Sequence, residues 1–422
     1  MVKMTRGVFF FSMIIVAGGA LAWEVGDPMV SYWAGPGYIN HPEKLTERAA
    51  RQLKEGGFNT VWAGSREELD VAAKYGLRAI FWMKGVWPEF RMNDEARCKA
   101  VAEKIAAVKD HPALYLYFLT DEPSAERFEP IAQSKRWFHR QDPKHPVWVN
   151  LLPTYANNRQ LGVEGEIIRA YWEHVRLFMD ICRPEFLTYD HYQFNVGGDT
   201  ENYLLNLGII RQNAAAAGVQ FFNGVQACTW DPTHLASPAA PRIPVADELR
   251  YLVYTTLAYG AQGIYYYVYS FPGHEGAIAE LDGKPGKNYE VVKRLNREFV
   301  AVARELRSFR FSGAFVQGQH APGTTPYGPS ALLRLSPETP MSELVPGQRF
   351  VDSTLVTRFD GPRGEVRLMV VNLDYRKART LDVTAPKAFE RFNPSTGAWT
   401  PHDKCGKVDL ACGEGALLRI SL

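Results

Sequence analysis

The stretch "LYLYFLTDEPSAERF" (Leu114–Phe128) is apolar and aromatic through Leu119. It then ends in two adjacent carboxylates, Asp121 and Glu122, followed by Pro123. A strand core tolerates no unpaired carboxylate, so acids delivered to a strand tip belong at an opening. In a (β/α)8 barrel the reactive groups sit at the C-terminal ends of the strands. The stretch therefore predicts a buried barrel strand whose tip opens into a bowl.

The surrounding sequence repeats the plan. From Pro28 to about Ser308, short apolar or aromatic runs alternate with longer polar–apolar segments. The runs are "PMVSYWAG" (28–35), "FNTVWAG" (58–64), "LRAIFWMK" (77–84), "ALYLYFLT" (113–120), "PVWVNLLP" (146–153), "FLTYDHYQF" (186–194), "QFFNGVQAC" (220–228) and "GIYYYVYS" (263–270). They are rich in β-branched and aromatic residues, as buried strands are. Helical patterns separate them. "PEKLTERAARQLKEGG" opens near a proline and closes on glycine, and "NDEARCKAVAEKIAAVKDHP" offers Asn93 as a cap and a proline stop. "DTENYLLNLGIIRQNAAAAG" and "YEVVKRLNREFVAVARELRSF" follow suit. Eight strand–helix units in about 280 residues match an α/β (β/α)8 (TIM) barrel over residues 23–309. A doubly wound sheet would carry a glycine-rich first turn, and "WAGPGYIN" is not one.

After Phe309 the helical stripes vanish. "LVTRFD", "EVRLMVVNLDY", "RTLDVTA", "AFERFN" and "GALLRISL" alternate between turns such as "DGPRG" and "NPSTG". Residues 310–422 are therefore expected to form a small antiparallel β-sandwich packed on the barrel. Trp399 is its one candidate for sugar contact.

The chain has 422 residues, 46% of them hydrophobic and 13% aromatic, enough for a large core in two domains. Its net charge is +2 and no basic tract stands out, which argues against nucleic acid as a partner. Lys3 and Arg6 precede an apolar run from Val8 to Ala17, and Ala20-Leu21-Ala22 suits a signal peptidase. Residues 1–22 thus read as a signal peptide, the protein as exported (periplasmic or extracellular), with no stable membrane insertion after cleavage. Of five cysteines, Cys405 and Cys412 could bridge a hairpin; Cys98, Cys182 and Cys228 look like single buried thiols. No CxxC, zinc spacing or P-loop occurs, and no metal or cofactor is expected.

The strand tips carry the chemistry. They offer Tyr32 and Trp33, then Trp62, then Trp82, Lys84 and Trp87. Strand five offers Trp148 and Asn150, and strand six Tyr189, Asp190, His191, Tyr192 and Gln193. Strand seven offers Asn223, Gln226, Trp230 and Asp231, and strand eight Tyr266, Tyr267 and Tyr269, then His274 and Glu275. Aromatic rings stack on the C–H faces of pyranoses, and polar groups meet their hydroxyls. A phosphate ligand would want more Arg and Lys. The expected partner is an oligosaccharide or polysaccharide.

Glycosidic cleavage uses two carboxyl groups, one protonating the leaving oxygen and the other attacking or activating water. Glu122 is the candidate proton donor, its pKa raised by the neighbouring Asp121. The plainer reading of this pair is helix capping ahead of Glu126. Asp190 is the leading candidate for the second carboxylate, ahead of Glu275 and Asp231. His111, His139 and His145 lie in helix-end or turn settings and read as structural.

This pattern resembles the glycoside hydrolase barrels, especially the retaining enzymes of clan A. Those carry an acid/base glutamate after strand four, preceded by asparagine and often followed by proline, and a nucleophile glutamate at the end of strand seven. "TDEP" is similar to the first motif, which implies Glu122 as acid/base and puts Asp121 in the asparagine's place. The resemblance covers the architecture of nearly the whole mature chain, through short motifs. "FLTDEPSAERF", "VNLLPTYA" and "LTYDHYQF" also resemble a group of exported bacterial proteins classed as glycosidases. Strand seven departs from the pattern: "FFNGVQACTW" has no glutamate, and Gln226 stands near the nucleophile's place. The implied function is an exported glycosidase whose second carboxylate has moved, with Asp190 as the substitute, or one that inverts. The alternatives are a non-catalytic carbohydrate-binding protein on the same scaffold, and another barrel chemistry such as a lyase or metal-dependent hydrolase. Two loops, "TWDPTHLASPAAPRIPVADE" (229–248) and "AGPGYINHP", are expected to wall the bowl.

Overall fold

A computed structural model describes residues 23, 25–83, 86, 93–230, 237–328 and 333–420. The expected signal peptide, Lys84, Trp87 and Asp231 lie outside the described residues.

All eight apolar runs form strands: β1 (Met29–Tyr32), β2 (Thr60–Ala63), β3 (Arg78–Phe81), β4 (Leu114–Asp121), β5 (Val147–Leu151), β6 (Phe186–His191), β7 (Gln220–Gln226) and β8 (Gly263–Tyr267). They make one parallel sheet in the order β1-β8-β7-β6-β5-β4-β3-β2, a near-closed barrel. At the seam between β1 and β2, Asn59 takes over the ladder. Its backbone N–H donates to Val30 O at 3.2 Å, and its Oδ1 accepts from Val30 N at 2.9 Å.

The helices between strands follow from caps and stripes. Glu47–Glu55 is capped by the Thr46 side chain and buries Ala49, Ala50 and Leu53. Asp94 rather than Asn93 caps Glu95–Val108, because its carboxylate reaches the Arg97 N–H. Tyr203–Ala217 stops at Gly218, whose φ of +70° no β-carbon opposes. Among the described residues, no helix is long and apolar enough to cross a membrane.

Aromatic rings plug the barrel. Trp33 meets Trp62, Phe118 and Trp148 edge-on, with centroids 5.6–5.8 Å apart. Tyr265 adds its ring against Trp148 at 5.0 Å. These rings are the floor of the bowl.

Beyond Phe309 the strands are mostly antiparallel. One seven-stranded sheet is built around Arg310–Gln317, Thr354–Asp360, Val366–Asn372 and Gly415–Ile420. A three-stranded sheet holds Arg334–Ser336, Arg379–Thr384 and Cys405–Leu410. Residues of both, such as Val356, Leu368, Val383 and Val408, share one apolar cluster. Met369, Val371 and Leu417 instead join the barrel's own core. Polar ties reinforce this contact: Tyr375 donates to Asp199 Oδ1 at 2.8 Å, and Arg250 donates to the Cys412 carbonyl at 2.7 Å.

The cysteine bridge is not formed. Cys405 opens the strand Cys405–Leu410 and Cys412 lies beyond its far end, and both thiols are free. Seven residues of extended chain span roughly 20 Å, far beyond disulfide reach. Cys182 and Cys228 are buried, whereas Cys98 is half-buried.

Candidate active site

The tips of β4, β5 and β6 bring Asp121, Asn150 and Asp190 together. Asp121 pairs with Asn150 across the β4–β5 ladder. Asn150 Nδ2 donates to Asp121 Oδ1 at 3.2 Å and to Asp190 Oδ2 at 3.1 Å. Its Oδ1 lies 2.5 Å from the Tyr265 hydroxyl, which also lies 2.8 Å from the Tyr189 carbonyl. Tyr265 reaches that position over Gly224, where an added β-carbon would lie 2.5 Å from its ring. Tyr192 donates to Asp190 Oδ2 at 3.1 Å, while Asp190 Oδ1 has no hydrogen-bond partner.

Glu122 follows Asp121 with φ +41°, unusual for a side-chain-bearing residue, and its N–H donates to the Asn150 carbonyl at 2.9 Å. The turn ends the strand. Glu122 is solvent-exposed, yet protein surrounds it closely enough for burial to raise its pKa. That combination marks a group inside a concavity. Burial, then the Glu122 charge, pushes Asp121 up to about 7. Asp190 is raised well above the ordinary carboxylate range in the same way, by burial first and then by Glu122 and Asp121. Three carboxyls therefore hold protons more tightly than free ones do.

The wall is aromatic. Tyr192, Trp230 and Tyr267 meet with centroids 4.8–5.1 Å apart. Trp230 is held there by a short antiparallel ribbon, Thr229–Trp230 against His274–Glu275. Opposite, the loop "AGPGYINHP" folds over the mouth, with Tyr38 edge-on to Trp62 at 4.8 Å. Trp82 fastens that loop by donating to Gly37 O at 2.7 Å. The 237–245 part of the other loop is tied to Phe194–Asp199 through Ala240 and Pro238.

Not every expected site residue reaches the bowl. Tyr32 and Tyr266 point out of the barrel and pack on Phe58, and Tyr32 donates to Pro36 O. His191 faces the helix Tyr203–Ala217, pairing with Asn206 Oδ1 at 2.9 Å and Thr200 Oγ1 at 2.6 Å. Burial lowers its pKa to about 4. Gln226 is wholly occupied by backbone: it accepts from Phe194 N at 2.8 Å and donates to Phe194 O at 2.9 Å and Arg242 O at 2.6 Å. It is a loop clamp. Trp33 and Trp62 form the floor, and Glu275 sits exposed on the rim. Of the histidines read as structural, His145 is buried against Asp142 at 2.7 Å and His111 against Asp70 at 3.0 Å.

Two contributors were missed by the tip reading, Tyr265 and Tyr155. Strand parity carried the signal for the first: if Tyr267 faces inward, so does Tyr265, and Tyr266 does not. Tyr155 is 50% exposed, touches His191 edge-on and accepts from Tyr192 N at 3.2 Å. It belongs to the β5 loop, which no strand pattern reaches. Among the described residues, no cluster of His, Cys, Asp and Glu is arranged to hold a metal.

No protein-family model and no curated protein matches the chain. Solved structures do. A glycoside hydrolase matches at 14% identity with TM-score 0.51, over 93% of this chain and 92% of its own. A glucosidase from Croceicoccus marinus matches at 12% identity with TM-score 0.44, over 94% of this chain and 97% of its own. The β-glucuronidase of Bifidobacterium dentium matches at 11% identity with TM-score 0.44. This chain spans 46% of that enzyme's length. At these identities the first likeness is one of fold: a parallel barrel with a β-rich extension, shared over nearly the whole chain.

Proposed function

We propose that the protein is a glycoside hydrolase, with Glu122 as proton donor and Asp190 as the second carboxylate. One observation carries this reading. Three carboxyls with raised pKa values converge at the C-terminal tips of β4 and β6, in a bowl floored and walled by aromatic rings. A protonated acid near neutral pH is what leaving-group protonation requires. Glu122 stands at the solvent face, where a glycosidic oxygen can meet it. Asn150 and Tyr192 fix Asp190 beneath. Asp121 and Asp190 hang on one nitrogen, so their bonded oxygens are at most about 6 Å apart.

Gln226 does not weigh toward a binding-only protein, because its amide is spent on Phe194 and Arg242. We further infer a sandwich from the apolar cluster shared by the two C-terminal sheets. Export is inferred from Lys3, Arg6, the Val8–Ala17 run and Ala20-Leu21-Ala22.

The test is sugar release from a broad glycan pool, followed by mass spectrometry, for wild type and Glu122→Gln. Release by wild type, reduced about 10²–10⁴-fold in the variant, supports the reading. Saturable binding by both forms with no release by either overturns it.

A further inference from the structure

Five acids are buried among the described residues, and four have both carboxylate oxygens hydrogen-bonded. Glu248 takes two bonds from Arg242, at 2.6 and 2.8 Å. Asp374 is held by Arg349 at 2.6 Å, and Asp142 by His145 at 2.7 Å. Glu68 accepts the backbone N–H groups of Leu45 and Gly64, each at 2.8 Å. Asp190 is the exception. It is 5% exposed, its Oδ2 has two neutral donors, Asn150 and Tyr192, and its Oδ1 has none.

Its neighbours deepen the imbalance. Among the described residues, Asp121 accepts from the same Asn150 amide and from backbone, and no ion pair reaches Asp121, Glu122 or Asp190. Hydrolysis requires two carboxyls; among the described residues this bowl holds three. The rings that complete it, Tyr192, Trp230 and Tyr267, touch one another, and Tyr192 is the residue bonded to Asp190. A buried carboxylate without a counter-charge is costly. A uronic acid would add a further carboxylate beside Asp190, and a neutral sugar brings no charge to set against it. An ammonium group brings one positive charge and three N–H donors, and it is attracted to aromatic faces.

We propose that the bowl selects glycans bearing free, protonated amino groups, with Asp121 and Asp190 as the counter-charge and the Tyr192–Trp230–Tyr267 rings as the wall. This rests on the glycosidase reading and names its substrate class.

The test compares oligomers of equal length that differ at one substituent. Glucosamine oligomers, their N-acetylated forms and the matching glucose oligomers are titrated calorimetrically into wild type at pH 6.5, and the galactosamine, N-acetylgalactosamine and galactose oligomers likewise. In one of the two series the free-amine oligomer should bind at least tenfold tighter than both neutral counterparts. Asp190→Asn and Asp121→Asn, checked for native circular dichroism, should each lose most of that preference. The wild-type comparison alone decides if either variant fails to fold. Equal or weaker binding of the amines, no binding in either series, or a preference unchanged in both folded variants overturns the proposal. Release of neutral sugars with no preference for amines sinks this inference and leaves the hydrolase standing. Amine-selective binding with no cleavage of any glycan sinks the hydrolase instead.

Discussion

Asp121 and Asp190 accept hydrogen bonds from a single nitrogen, the Nδ2 of Asn150, at 3.2 and 3.1 Å. The two acids come from different strands, so the amide sets their separation. Replacing Asn150 with Leu keeps the volume and removes the bridge. Donation to a carboxylate favours its charged form, so the loss should move the acidic limb of the kcat/KM profile to higher pH. The rate itself should fall about 10²–10³-fold, the usual cost of one preorganised donor. A rate loss with an unmoved limb would make Asn150 a packing residue only.

Stability should depend on pH through Asp121. Its carboxyl titrates at about 7 in the fold against an ordinary 3.8. Between those values the folded chain keeps a proton that the unfolded chain has lost, so this group's contribution falls as pH rises from about 4 to about 7. His174 and His191, both lowered to about 4 by burial, act in the opposite sense over part of the same range. The variant isolates the carboxyl. Asp121→Asn should gain on wild type steadily across that window, by of order 2 kcal/mol after discounting partial exposure. Melting curves at half-unit pH steps measure it, and a constant difference would refute it.

Restoring a glutamate at the end of β7 should not restore a nucleophile. Gln226→Glu removes both N–H donors from Phe194 O and Arg242 O and sets a carboxylate against them. The expected cost is about 2–4 kcal/mol, read as a lower denaturation midpoint. Glycan release should fall with it.

Gly224 tests the floor. A β-carbon there meets the Tyr265 ring at 2.5 Å, and the ring is fully buried and cannot swing clear. Gly224→Ala should cost about 1–3 kcal/mol by overpacking. It should also lower activity, because the Tyr265 hydroxyl would leave Asn150 Oδ1. Wild-type turnover in a destabilised variant would separate Tyr265 from the chemistry.

Much of the barrel was legible because its signals are local. Each strand run is a short block of β-branched and aromatic residues, and each helix carries its own cap and stripe. The acids were legible for the same reason, since a carboxylate at the end of "LYLYFLTD" has no place in a core. What failed was orientation. Tyr32, His191 and Tyr266 share strand tips with site residues, but the strand's two-residue period turns them toward the helices. Gln226 was misread through the likeness of its position, as its partners Phe194 and Arg242 lie in loops no periodicity describes. The Cys405–Cys412 bridge failed because a strand, not a turn, separates the two thiols.

The bond from Tyr375 to Asp199 bears on how such a protein can be cut and recombined. Asp199 lies in the loop that follows β6, the strand of Asp190, and burial raises its pKa to about 6, so it depends on that hydroxyl. Met369, Val371 and Leu417 belong to the same apolar cluster as the barrel residues. A barrel stopped after Phe309 would uncover apolar surface and strip a hydrogen-bond partner from an acid a few residues from the site. The two halves are therefore not interchangeable modules, and an extension grafted from another chain would have to bring its own tyrosine.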